Sequence, residues 1–130
     1  MSISVSPFLR NALIADTLAT GATAIIMIAG AGVLGPLLGL PQGLLFWAGV
    51  ALVPFVALLL VTARRQTVSR LVLIDIIAIN VLWVVASFGL LISGSVAPNV
   101  LGIAFVTAQA LTVALFAELQ FVGLRRSAAA

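Results

Sequence analysis

The chain has 130 residues, of which 64% are apolar before glycine is counted and only 7% are charged. Soluble domains average roughly 45 to 50% apolar with glycine included and about 25% charged. Six arginines and three acids cannot cover the surface of such a chain in water, and the exposed apolar area would far exceed what soluble monomers tolerate.

Lipid is therefore the expected solvent. The chain has no cysteine, histidine, tyrosine or lysine, which excludes disulfides, thiol redox chemistry, zinc held by Cys and His, and haem held by His or Cys. No cofactor and no metal are expected, and the chain reads as non-enzymatic. The net charge is +3, but the arginines sit at the ends of apolar runs, with no basic groove that would suit nucleic acid.

Four apolar stretches are long enough to cross a hydrocarbon core of about 30 Å, which takes about 20 helical residues. They run roughly from Asn11 to Leu34, Gly43 to Ala63, Leu71 to Ile92 and Val100 to Leu124. Ser6 and Pro7 fit the N-cap and first position of the first span. Gly32, Gly35, Pro36, Gly39 and Pro41 are expected to end that span and form a turn, with Pro41 at the first position of the second. Pro54 is expected to bend the second span, and Trp47, near its outer end, is placed in the aromatic belt. The stretch from Arg64 to Arg70 reads as a charged loop, and Gly94 and Pro98 punctuate the last connection. Long apolar runs without alternation are helices in lipid. The expected fold is all-α: a four-helix transmembrane bundle, up-down-up-down, as a single integral membrane domain over residues 1–130. A cleaved signal peptide is the alternative for the first span, because Ala29, Gly30 and Ala31 imitate a cleavage site. Asp16, Thr17, Thr20, Gly21 and Thr23 interrupt the apolar run and speak against it.

Arg10, Arg64, Arg65, Arg70, Arg125 and Arg126 all fall on one side of this topology, and the other two connections carry no charge. The positive-inside rule then puts both termini in the cytoplasm. The two halves share a plan of arginine, acid, Gly/Pro turn, proline-opened span and closing Arg-Arg pair. This is either a pair of tandem helical hairpins or simply what two hairpins under that rule look like.

At ~1.5 Å rise per residue, Asp16 lies about 9 Å inward of Arg10, Asp75 about 7.5 Å inward of Arg70 and Glu118 about 10.5 Å inward of Arg125. The three acids therefore occupy one layer. Either they form a proton- or cation-responsive cluster, or arginines and hydroxyls such as Thr17 and Thr20 pair with them and lock the bundle. Asn80, Trp83 and Ser87 share one stripe of the third span and read as interhelical glue, with the Trp83 indole bonded to a neighbouring carbonyl. The fourth span carries two opposite stripes. Gly102, Phe105, Gln109, Thr112, Phe116 and Gln120 form one, and Ala104, Thr107, Leu111, Ala114, Glu118 and Arg125 the other. Depth assigns Glu118 to the bundle interior. Gly102, Gln109, Thr112 and Gln120 are then expected at a subunit interface.

The runs NVLWVVAS, from Asn80 to Ser87, and LGIAFVTAQALTVALFAELQFVGLRR, from Leu101 to Arg126, resemble a family of small bacterial four-span integral membrane proteins of uncharacterised role. The resemblance is loosest over the first 40 residues. It implies the bacterial inner membrane and carries over no catalytic residue. The position of Ala15 and Asp16 is also similar to that of the alanine and embedded glutamate in small multidrug resistance transporters. The rest departs: the acid is aspartate, the first span lacks lysine, and the chain has no tyrosine to line a cation pocket. Two functions are therefore carried forward. The first is helix–helix association in the membrane, as a homo-oligomer or an accessory subunit. The second is a dimeric proton-coupled transporter or cation-conducting pore using the carboxylate layer.

Overall fold

The computed structural model describes residues 2–127. In chain order these form β1 (Ser2–Ser4), α1 (Pro7–Ala29), α2 (Ala31–Leu38), α3 (Gln42–Ala63), β2 (Thr67–Ser69), α4 (Arg70–Ser93) and α5 (Val100–Arg126). Helices α1, α3, α4 and α5 are each long and apolar enough to cross a bilayer, so the chain is a multi-pass, all-α membrane protein.

Local chemistry sets most helix ends. Ser6 Oγ accepts the Leu9 N–H at 3.2 Å, with Pro7 at the start of α1. Asn99 Oδ1 accepts the Gly102 N–H at 2.9 Å and opens α5 in the same way. Gly39 and Gly94 close α2 and α4 at φ 69° and 75°, a left-handed conformation that costs glycine little. Pro41 caps α3 from just outside it, one residue before the expected position.

Two local features depart from the expected plan. The first span does not run unbroken to Leu34. The Gly30 N–H still bonds to Ile26 O at 2.8 Å, but at φ −98° and ψ 3° the chain leaves the α1 axis and starts α2. A β-carbon at Gly30 would lie 2.6 Å from Ile26 O, so the break depends on glycine. Gly32, Gly35 and Pro36, expected in a turn, are helical, and the turn falls at Gly39. Pro36 lies inside this short helix, where it lacks the N–H that would otherwise bond to Gly32 O. The second departure is a two-stranded antiparallel sheet that pairs Ile3 with Val68, with Val5 N–H donating to Gln66 O at 2.9 Å. The signal was a short alternation: Ile3 and Val68 are buried, and the serines and threonine beside them are exposed.

Helix α1 packs on α3, α4 packs on α5, and α1 also meets α5, joining the two hairpins. The α1–α3 connection carries α2, which has no counterpart between α4 and α5. At one end β1 pairs with β2, Leu9 touches Gly123, and the Arg126 guanidinium lies 5.3 Å from the centre of the Phe8 ring. Arg10 donates there to Ala63 O, the last carbonyl of α3, and, at 3.1 Å, to Arg65 O just beyond that helix. At the other end Asn99 donates to Leu38 O at 3.1 Å from its backbone and to Leu37 O at 2.8 Å from its side chain. The bundle thus runs up-down-up-down, with the arginines at one end. Its apolar core falls into two clusters: one near the arginines around Leu9, Leu13, Leu59 and Leu73, the other around Met27, Leu38, Leu45 and Val106.

Candidate functional site

Polar side chains meet between the two apolar clusters. Asp16 of α1 is 0% exposed. Its Oδ1 accepts the Thr20 hydroxyl at 2.7 Å, one helical turn along. Its Oδ2 accepts two amides, Asn80 Nδ2 at 2.9 Å from α4 and Gln120 Nε2 at 2.7 Å from α5. Asn80 Nδ2 donates its second hydrogen to Gln120 Oε1 at 2.9 Å. A carboxylate accepts only, so the amide nitrogens must face it, which fixes the orientation of both amides. One aspartate thereby ties together three of the four spans. Its partners are all neutral: of the expected kinds of partner it takes the hydroxyl of Thr20 rather than an arginine, and Arg10 of the same helix donates to Ala63 O and Arg65 O.

A second network lies further from the arginines. Trp83 Nε1–H donates to Gln109 Oε1 at 2.6 Å, Gln109 Nε2 donates to Ser87 Oγ at 3.0 Å and to Val106 O at 2.9 Å, and Ser87 donates to Trp83 O at 2.7 Å. Asn80, Trp83 and Ser87 thus lie on the face of α4 turned toward α1 and α5, and the indole finds a side-chain carbonyl.

Most of the remaining assignments on α5 are reversed. Gly102 and Gln120, expected at a subunit interface, are buried inside this chain together with Phe116 of the same stripe, and Gln109 is partnered there. Gly102 does permit close approach, but of α2: a β-carbon at Gly102 would lie 2.1 Å from Leu38 O. Thr112 is exposed and donates to Ala108 O within its own helix. Glu118, expected inside, is exposed, and so is Asp75. The three acids share a depth but not a site, and among the described residues no cluster of three groups able to hold a metal is found. The physical reason is that neutral amides are cheap to bury when donors and acceptors match, as in the Asp16 network. A glutamate within about two turns of the interface can instead extend its head toward water. Depth counted for every polar residue, not only for acids, would have suggested Gln120 as a neighbour of Asp16, since it lies about 7.5 Å inward of Arg125.

Helices α3 and α4 face each other across a cavity of about 520 Å³ whose walls come from α1, α3, α4 and α5. Thr20 and Asn80, two of the groups that hold Asp16, form part of its lining; Phe55, Phe105 and Phe116 supply apolar wall. A second cavity of about 270 Å³ continues away from the arginines toward Leu40 and Leu44. Trp83, Ala86, Phe105 and Gln109 belong to both, so the Trp83–Gln109 pair stands at their junction. Compared with models of protein families, with curated proteins and with solved structures, the chain matches none, and its functional reading rests on this geometry.

Proposed function

We propose that this chain is a non-enzymatic integral membrane protein that acts through helix–helix association, as a homo-oligomer or as an accessory subunit of a larger membrane complex. The observation that carries this reading is the placement of Asp75 and Glu118 on exposed faces of α4 and α5. An acid facing acyl chains costs up to about 2.5 to 3.5 kcal/mol at mid-bilayer and less near the interface, and such residues are normally turned toward protein or water. Around them the exposed positions repeat at alternating steps of four and three. On α5 the exposed stripe is Ala104, Ala108, Leu111, Leu115, Glu118 and Val122; on α4 it is Leu71, Asp75, Ala78, Leu82, Val85 and Gly89. That is the spacing of a helix–helix seam, and its small residues let a second helix come close. The interface is therefore assigned to the Glu118 face, not to the Gln109 face. Both termini in the cytoplasm is the orientation that the one-sided arginines support, and the bacterial inner membrane is the location that the resemblance implies.

The chain contains no cysteine, so single substitutions report cleanly. Leu111→Cys, labelled in native membranes with a maleimide benzophenone, is expected to give a protein adduct of higher mass on illumination, and Gln109→Cys is not. A chain that stays at monomer mass from both positions, and that purifies alone and monomeric in mild detergent, overturns the proposal.

A further inference from the structure

The hydrogen-bonding state of the larger cavity has a definite sign. The donors on its wall are spent inside the protein. Thr20 donates to Asp16, Thr23 to Ala19 O at 2.8 Å, Thr112 to Ala108 O, and Trp83 to Gln109. Both amide hydrogens of Gln109 and both of Asn80 are also committed. What remains are acceptors. Asn80 is only 2% exposed, and among the described residues no donor reaches its Oδ1. Among the described residues no fully buried side-chain polar atom lacks a partner, so this oxygen opens into the cavity that Asn80 lines. The hydroxyl oxygens of Thr20, Thr23 and Thr112 keep free lone pairs beside it. Behind Thr20 and Asn80 stands the Asp16 carboxylate, whose three partners are neutral.

From this we infer that the cavity is a binding site for a lipophilic ammonium: an apolar body carrying a protonated amine that donates to Asn80 Oδ1 and the threonine hydroxyls. The volume of about 520 Å³ falls within the range of small-molecule sites. The walls suit such a ligand, because Phe55, Phe105 and Phe116 offer both apolar surface and aromatic rings for a cation. Asp16 selects for positive charge through Asn80 and Thr20 without touching the ligand, which makes it a positioning residue. A ligand that only accepts hydrogen bonds meets lone pairs and a negative charge, and is rejected. Leu82 and Ala108 belong both to the cavity wall and to the exposed stripes of α4 and α5, but the groups assigned to the ammonium do not lie on those stripes, so the inference does not rest on association with a partner.

The chain has two tryptophans, Trp47 and Trp83. Trp47 is 67% exposed, so in a Trp47→Phe background the fluorescence of Trp83 reports on the cavity. The probes are 4-nitrophenethylamine, protonated at neutral pH, and its alcohol isostere 4-nitrophenethyl alcohol, with the protein in nanodiscs of zwitterionic lipid. Saturable quenching is expected, with the amine bound about tenfold or more tighter than the alcohol, as a charged hydrogen bond near a carboxylate implies. Asp16→Asn should erase that preference and leave alcohol binding in place. Ala86→Phe, which fills the cavity from an exposed wall position and leaves the Asp16 network intact, should abolish saturation for both probes. Non-saturable quenching equal for amine and alcohol, or an amine preference that survives Ala86→Phe, overturns the assignment. Neither outcome bears on crosslinking at Leu111.

Discussion

Asp16 and Glu118 lie at nearly the same distance from the arginine end of the bundle, yet their surroundings are opposite. Asp16 is enclosed and receives three neutral donors from three helices. Glu118 faces away from its own chain. Depth along a helix follows from counting residues, whereas the direction of a side chain depends on which neighbours can satisfy it. A carboxylate surrounded by donors with no other use is worth burying, and one without them is pushed outward.

The sharpest way to break this comparison is to remove the buried carboxylate. Asp16→Ala leaves the Thr20, Asn80 and Gln120 donors enclosed without their acceptor, and is expected to cost about 2 to 3 kcal/mol in reversible unfolding from mixed micelles. A loss no greater than that of an ordinary surface substitution would show that the network contributes little.

Next in size is Gln109→Leu. It leaves the Trp83 indole N–H without its acceptor and costs about 1 kcal/mol of stability. Trp83 emission should shift, while any crosslink from Leu111 persists. Loss of that crosslink with unchanged stability would return Gln109 to a subunit interface.

The smallest effect on the fold belongs to Glu118→Leu. With no hydrogen-bond or ion-pair partner among the described residues to lose, monomer stability in detergent should stay within about 0.5 kcal/mol of the parent. The photocrosslink from Leu111 in native membranes should be the property that changes.

Much of the frame is legible in the sequence. Ser6 and Pro7 open α1, Gly94 closes α4, and the arginines fall at one end, because caps, left-handed glycines and charge placement act over a few residues of chain. The break at Gly30 was not legible, although the glycine was visible. Whether a glycine in an apolar run bends or merely sits in a helix depends on what lies beyond it, here the docking of Leu38 onto Gly102. The β1–β2 pairing was missed for a similar reason. Three residues of alternation carry weight only when a complementary strand lies nearby, and its partner here is more than 60 positions away.

The sequence by itself determined that this is a four-span membrane chain with its arginines at one end, because span length and charge are properties of segments read one at a time. Only the tertiary structure decided the rotation of each helix about its axis. That rotation brought Asp16, Asn80 and Gln120 together from three helices, turned Asp75 and Glu118 outward, and left a largely apolar cavity walled by α1, α3, α4 and α5. Rotation answers to the match of donors, acceptors and shapes across helix pairs, and no single segment contains that match.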